Sequence, residues 1–182
     1  MDSDTIDELN ADGASDYTDE EIDRLIGCKK KVVEPPQKQM RNLRGYLRNE
    51  MTVESLEEGN HFHVFMRQNI TFKENFSIGL VFLPNDGRPR IRLIRFNGQH
   101  VHRELESDFK SSCWHESSHV HKAKVQNISA GLKEDRFAVR TGRYASFQEA
   151  QAEFFKEINL TDVHDYFPTL SQLSFSFGKE AQ

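Results

Sequence analysis

Hydrophobic and polar residues alternate through the middle of the chain, and this period of two is typical of strands with one buried face. The alternation is clearest over 61–68 and continues through 76–82 and 90–96. Gly, Asn, Asp and Pro residues at 57–60 and 84–87 supply turns between these segments. A further strand is expected within 44–56, with a helix over 38–50 as the alternative, and a short one within 118–124.

Two segments instead carry the start signals of helices. Thr18 with Glu21, and Ser146 with Glu149, have the spacing of capping boxes. Each box precedes a stripe of apolar residues at helical spacing, and Gly27 can end the first helix. We therefore expect a short N-terminal helix and a longer C-terminal helix whose apolar stripe packs on a sheet.

These patterns predict an α+β fold: an antiparallel sheet of about four to six strands, a C-terminal helix packed on it and a short N-terminal helix. Residues 1–16 lack periodicity and are expected to be a disordered acidic tail. A short helix and a basic, Pro-containing connector follow over 17–37. A single globular domain covers 38–165, and 166–182 forms a C-terminal tail with Leu173, Phe175 and Phe177 at the spacing of an edge strand.

Length and composition narrow the class of protein. The chain has 182 residues, 36% of them hydrophobic and 29% charged, which suits one domain with a core. No apolar run approaches the roughly 18 residues of a membrane span, and the acidic N-terminus is unlike a secretory signal. We expect a cytoplasmic protein without a membrane partner. Cys28 and Cys113 are too far apart for a thiolate zinc motif and are expected to be reduced thiols.

Charge is distributed unevenly along the chain. Residues 1–23 contain ten acidic side chains and no Lys or Arg, whereas the remainder holds 24 basic and 19 acidic side chains. A basic body suits a polyanion, and RNA is the expected partner, with an ordinary solvated surface as the alternative. The acidic tail could bind a protein partner or fold back on the basic body. Edge strands make a homodimer a further hypothesis.

Histidine spacing is the most informative feature. Seven of the eight histidines lie in or beside three His-x-His pairs: His61 and His63, His100 and His102, and His119 and His121, with His115 before the last pair. On a strand, residues i and i+2 share a face, so each pair would present two imidazoles about 6 to 7 Å apart. Such a pair can share a metal or serve as acid and base at a phosphodiester.

The residues around two of the pairs favour phosphate chemistry. Arg95 and Asn97 precede the His100 pair, and Arg103 and Lys122 follow the two pairs directly. Cations repel a divalent metal and stabilise charge on phosphate oxygens, so we expect no cofactor. Zinc or another transition metal held by His100, His102, His119 and His121 is the alternative. Arg67, Arg92, Asn97 and Arg103 are candidates for nucleic-acid contacts.

Four segments, ENFSIGL, LIRFNGQHVHR, HVHKA and TGRYASFQEA, resemble in order and spacing a family of small uncharacterised bacterial and prophage proteins. The likeness covers about residues 18–160. The layout is similar, more loosely, to TumE-type toxins of toxin-antitoxin pairs, which are thought to be ribonucleases. The resemblance implies a site formed by Arg95, Asn97, His100, His102, His119, His121 and Tyr144.

The leading hypothesis is a toxin-like or defence-associated ribonuclease. One imidazole of the His100, His102, His119 and His121 cluster would take the 2′-hydroxyl proton and a second would protonate the leaving oxygen. Arg95 and Lys122 would stabilise the charge that develops on the phosphate. Two alternatives stay open: a histidine-ligated metal-binding domain, and a noncatalytic interaction protein such as an antitoxin, an inhibitor or a phage adaptor.

Overall fold

A computed structural model describes residues 17–99 and 117–170 of the chain. Eight strands in these residues form one antiparallel sheet in the order β1-β3-β4-β5-β6-β7-β8, with β2 also pairing with β3. The strands are β1 (Lys30–Glu34), β2 (Arg41–Leu43), β3 (Tyr46–Ser55), β4 (His61–Asn69), β5 (Phe76–Leu83), β6 (Ile91–Asn97), β7 (His119–Lys122) and β8 (Ala138–Arg140).

Four helices accompany the sheet in the described residues: α1 (Asp19–Gly27), α2 (Val125–Ser129), α3 (Phe147–Glu157) and α4 (Val163–Tyr166). The two expected helix starts are confirmed. The Thr18 hydroxyl accepts a hydrogen bond from the Glu21 amide, and Ser146 and Glu149 form a complete capping box. α1 ends at Gly27, as its sequence indicates.

The core lies on one face of the sheet, between the strands and the two longer helices. Phe62, Val64 and Met66 of β4 are buried on this face. Phe154 of α3 packs edge-on against Phe96 of β6, and α1 contacts the same strand. Both helices therefore cover the same face, and the opposite face carries the other half of each alternating strand.

The edge of the sheet beside β3 is built from two short strands separated by a proline pair. β1 pairs with the second half of β3 and β2 with the first half. Between them, the Asn49 side chain accepts a hydrogen bond from the Gln37 amide at 3.0 Å and donates one to the Gln37 carbonyl at 2.9 Å. This amide replaces the backbone pairing that Pro35 and Pro36 interrupt.

The α+β class, the antiparallel sheet and the C-terminal helix are confirmed, but the expected four to six strands are too few. The three additional strands are β1, β2 and β8, of three to five residues each. β1 lies within the segment 17–37 that we expected to be a connector. The alternative helix over 38–50 is wrong, because β2 and β3 occupy that segment.

In the described residues, no helix is long and apolar enough to cross a membrane. Cys28 carries a free thiol. Cys113, His100, His102, Arg103 and the segments 1–16 and 171–182 lie outside the described residues.

Candidate nucleic-acid interface

The sheet face turned away from α1 and α3 is rich in arginine. Strand register places one residue from each of seven strands in a single row across this face: Arg41, Arg48, Arg67, Ser77, Asn97, His119 and Arg140. Two further arginines, Arg92 and Arg95, lie on the same face. We call this surface the arginine face. The register also places Glu34, Glu50 and Glu54 on this face, so its charge is mixed, with the arginines concentrated in the row.

A bulge in β6 brings Arg92 and Arg95 to the same face. Residues three apart on a regular strand would point to opposite sides. The register shifts here, because Leu80 pairs with Ile94 whereas Val81 pairs with Arg92, which leaves Leu93 as the extra residue. The irregularity therefore allows both guanidinium groups to reach the same carboxylate.

That carboxylate belongs to Asp135, which lies in the loop before β8 and is 1% exposed. Its Oδ2 lies 3.1 Å from Arg95 Nε and 3.4 Å from Arg92 Nη1. Burial lowers the pKa of the Arg95 guanidinium, nearby Asp135 raises it, and nearby Arg92 and Arg67 lower it. Two guanidinium groups thus share the Asp135 carboxylate, and the Glu134 carboxylate and the Arg67 guanidinium act on Arg95 from nearby.

Two aromatic rings interrupt the arginines. Phe65 lies directly across from Gly79, where an added Cβ would come within 2.3 Å of the ring, so Phe65 lies flat over the glycine backbone. Arg67 lies over the Tyr46 ring at 5.9 Å from its centroid. Four other phenylalanines of the sheet lie instead in the core: Phe62, Phe76, Phe82 and Phe96.

His119 and His121 share the arginine face, as the His-x-His spacing predicts, with ring centroids 5.1 Å apart. His119 is fully buried, and its Nδ1 lies 2.9 Å from the Ser117 carbonyl. Since a carbonyl only accepts, Nδ1 carries the proton and the neutral ring accepts at Nε2 from the Asn97 amide, 3.2 Å away. This bonding is typical of a structural histidine.

Asn97 holds this arrangement in place. Its Oδ1 accepts a hydrogen bond of 2.7 Å from the Ser77 hydroxyl, and its amide nitrogen donates to His119. Asn97 belongs to the row on this face, but with 4% of its surface exposed it is buried and is not accessible to a ligand. The structure therefore gives this predicted nucleic-acid contact a supporting role.

His121 is also buried, with 6% of its surface exposed, but its ring nitrogens have other surroundings. Its Nδ1 donates to the Asp135 carbonyl over 2.7 Å, which places the lone pair of the neutral ring on Nε2. His121 is directly across from Arg95 in the register. Asp135 thus orients the histidine through its backbone and the two arginines through its side chain.

Tyr144 and Lys122 lie apart from any reacting centre on this face. The Tyr144 hydroxyl is bonded to the carbonyls of His119, at 2.8 Å, and of Asn97, at 3.2 Å, and burial raises the pKa of this hydroxyl. It ties β6 to β7. Lys122 is directly across from Ile94, on the helix-covered face, and pairs with Asp23 of α1 at 2.5 Å. The structure does not bring Lys122 to Arg95.

The first histidine pair lies on β4, at the other end of the arginine face. His63 Nε2 is 3.8 Å from Glu50 Oε2, and burial lowers the pKa of His63. His61 is exposed. The described residues do not bring this pair to His121. Phe65, Gly79 and His121 lie in one cross-strand row, whereas His63 lies one row further along β4, and β5 and β6 lie between the two histidine pairs.

The described ranges contain no group of three His, Cys, Asp or Glu side chains that could hold a metal ion. Of the four histidines in the alternative metal set, His100 and His102 lie outside these ranges. His119 would have to give up its bond from Asn97 to bind a metal through Nε2.

Sequence reasoning identified Arg67, Arg92, Arg95 and the His119 pair, but not the role of four further residues: Arg41, Arg48, Arg140 and Asp135. The first three enter the site through cross-strand register, for which the sequence carries no direct signal. The two-residue turn between β2 and β3 provides part of such a signal. Arg44 and Gly45 both have positive φ, and a glycine at this position is typical of a tight hairpin that fixes Arg41 opposite Arg48.

No protein-family model, curated protein or solved structure matches this chain.

Proposed function

We propose that the arginine face binds single-stranded nucleic acid. The observation that carries the proposal is the cross-strand row in which Arg41, Arg48 and Arg67 occupy three neighbouring strands. Like charges directly opposite each other repel, so an anion that bridges them lowers the energy of the sheet. A chain of phosphates offers such an anion at repeated intervals.

Aromatic rings favour a single strand over a duplex. Phe65 is half-buried, with one ring face on the Gly79 backbone, and Tyr46 is half-buried beside Arg67. Unpaired bases stack on such rings, whereas the bases of a duplex are already stacked on each other. Phosphates on the arginines and bases on the rings would therefore use both kinds of side chain.

The row of residues also sets the length of the site. Arg41 and Arg140 are separated by six strand spacings, or about 29 Å. The three residues in the middle of the row, Ser77, Asn97 and His119, are buried, so a ligand contacts the row at its arginines. A stacked strand advances about 3.4 Å per nucleotide, so one that reaches from Arg41 to Arg140 spans roughly eight nucleotides, and fewer if it is stretched. We expect affinity to rise with oligonucleotide length up to about this size and then to level off.

Fluorescence anisotropy with labelled octamers of RNA and of DNA tests the proposal. Arg67→Gln and Arg140→Gln change exposed side chains on the arginine face and should each weaken binding several-fold. Lys156→Gln removes one positive charge from an exposed position on α3, on the opposite side of the sheet, and serves as the matched control. Equal affinities for all four proteins would contradict the proposal, and the preferred octamer identifies RNA or DNA as the ligand.

Ribonuclease activity is a second candidate, favoured by the hydrogen bond between His121 Nδ1 and the Asp135 carbonyl. This bond leaves Nε2 as the basic nitrogen, which could take the proton of a 2′-hydroxyl. The hydroxyl would then attack the neighbouring phosphorus and expel the 5′-oxygen, with Arg95 stabilising the added negative charge. The proton for the leaving oxygen would come from another imidazole, as in the mechanism proposed from the sequence.

Cleavage is tested separately from binding. His121→Gln should abolish cleavage of an RNA octamer while leaving its anisotropy signal, and His164→Gln, at an exposed position of α4, should leave both unchanged. The products should carry 2′,3′-cyclic phosphate ends, and an octamer with 2′-deoxyribose should resist. Cleavage that survives in His121→Gln would contradict this candidate without affecting the binding proposal, and cleavage that stops with EDTA would favour a metal site.

A further inference from the structure

We infer that the acidic arm, residues 1–16, docks on the arginine face and competes with nucleic acid for it. The inference rests on the proposed function of that face and adds its regulation. The arm lies outside the described residues. Three of its properties support the inference: its composition, the place where it joins the fold and its length.

Charge complementarity is the first ground. The arm contains six acidic side chains and no Lys or Arg: Asp2, Asp4, Asp7, Glu8, Asp12 and Asp16. Their spacing of one to four residues distributes negative charge along the whole segment, as phosphates do along a nucleic acid. A surface that attracts a flexible polyanion attracts this segment by the same long-range field.

The attachment point is the second ground. Tyr17, the first described residue, is buried, donates a hydrogen bond of 2.7 Å to the Pro89 carbonyl and lies edge-on to Phe82. Arg88 lies over its ring. These contacts place the first described residue on the helix-covered side of the sheet, beside the turn between β5 and β6. The sheet ends at this turn, so the arm would pass around it to reach the arginine face.

Length is the third ground. From Phe82 to Ser77, which lies in the arginine row, β5 extends about 17 Å, and the arm must in addition pass from the helix-covered side of the sheet to the arginine face. A flexible chain of 16 residues has a root-mean-square span of about 22 Å and a maximum reach near 55 Å. The effective concentration of a tethered ligand is highest when its average span matches the distance to its site. The arm therefore meets the arginine row at about the separation that favours an intramolecular contact.

Docking of the arm has a direct consequence for affinity. A nucleic acid that binds must first displace a tethered competitor. Its apparent affinity is therefore the intrinsic affinity multiplied by the fraction of molecules in which the arm does not occupy the face. Weak ligands are excluded, whereas a strand long enough to engage the whole row displaces the arm. Because every contact is ionic, the competition should fade as salt rises.

The test uses the full chain with the six acidic residues of the arm replaced by Asn or Gln. Anisotropy with the labelled octamers should show roughly tenfold tighter binding to this arm-neutralised protein than to the wild type at low salt. The control is an arm-neutralised chain with the six acidic residues appended after Gln182, which restores net charge at another place. It should bind as tightly as the arm-neutralised protein.

A second measurement addresses the arm without nucleic acid. A labelled synthetic peptide of residues 1–16 should bind the arm-neutralised protein, and Arg67→Gln in that protein should weaken the complex, whereas Lys156→Gln should not.

Three outcomes would each overturn the inference: failure of the peptide to bind, equal octamer affinity in the wild type and the arm-neutralised protein, or restored inhibition by the appended acids. Absence of octamer binding to either protein, with the peptide still bound, would instead overturn the proposed function alone. Dependence of the wild-type affinity on protein concentration would show docking on a second copy and contradict the intramolecular form.

Discussion

At the scale of single residues, the most unusual side chain is Lys30, which is fully buried in the core. Its ammonium donates to the carbonyls of Ile26 and Cys28, both at 2.8 Å, and of Ile158 at 3.1 Å. These carbonyls belong to the ends of α1 and α3, where the helix dipoles favour a cation. One lysine thus joins the two helices that cover the core.

We expect Lys30→Met to destabilise the protein by about 3 kcal/mol or more, although it removes a buried charge. The three carbonyls remain buried and lose their hydrogen-bond donor, because methionine replaces only the apolar part of the lysine side chain. Urea denaturation measures the loss, and Lys29→Met, at the exposed neighbouring position, is the control. A variant as stable as the wild type would show that water satisfies these carbonyls.

His63 makes stability depend on pH. Burial lowers its pKa in the folded protein, Glu50 and Glu34 act against this, and Arg90 adds to it. Since the unfolded chain then binds the proton more readily, the contribution of His63 is complete above about pH 6.5 and is lost as pH falls toward its folded pKa. Urea denaturation of wild type and His63→Gln between pH 7.5 and 5 should show the wild type losing more stability. Parallel losses would contradict this assignment.

At the scale of elements, β4 and β5 are fitted to each other by the contact of Phe65 with Gly79. Gly79→Ala must push the ring aside, since the new methyl would lie 2.3 Å from it, and we expect a cost of about 1 to 3 kcal/mol. In a Phe65→Ala background the same change should cost little, because the obstructing ring is gone. A double-mutant cycle from urea denaturation checks this, and equal costs in both backgrounds would contradict it.

Sequence patterns predicted most of the elements that bury a face and missed two short strands that do not. β1 is an exception, because it buries Lys30 and Val32, but its lysines and the prolines after it predicted a connector. β4 and β5 follow from alternation, because each covers the core. β2 is exposed along its whole length and β8 nearly so, so neither carries a periodic signal, and both form because a neighbouring strand offers its backbone. The same limit applies to the site. The shared face of His119 and His121 is local and was predictable, whereas the meeting of Arg92 and Arg95 depends on a bulge.

At the scale of the whole molecule, the sheet separates two tasks. One face holds the helices and the core, and the other holds the arginines, so changes to the arginine face can be made without opening the core. The acidic arm, which joins the described residues at Tyr17, carries charge of opposite sign. Binding should therefore respond to salt in two ways, through the contacts with phosphate and through the arm.

The salt dependence separates these contributions. For single strands the slope of log K against log salt is about −0.7 for each phosphate neutralised, so four arginines in contact predict a slope near −3. We expect this slope for the arm-neutralised chain and about −2 once Arg67→Gln is added. The wild type should give a shallower slope, because salt weakens the competing arm as well as the complex, and the two affinities should converge at high salt. Anisotropy titrations from 50 to 200 mM salt measure these slopes. A slope unaffected by Arg67→Gln would show that the arginine row does not contact the phosphates.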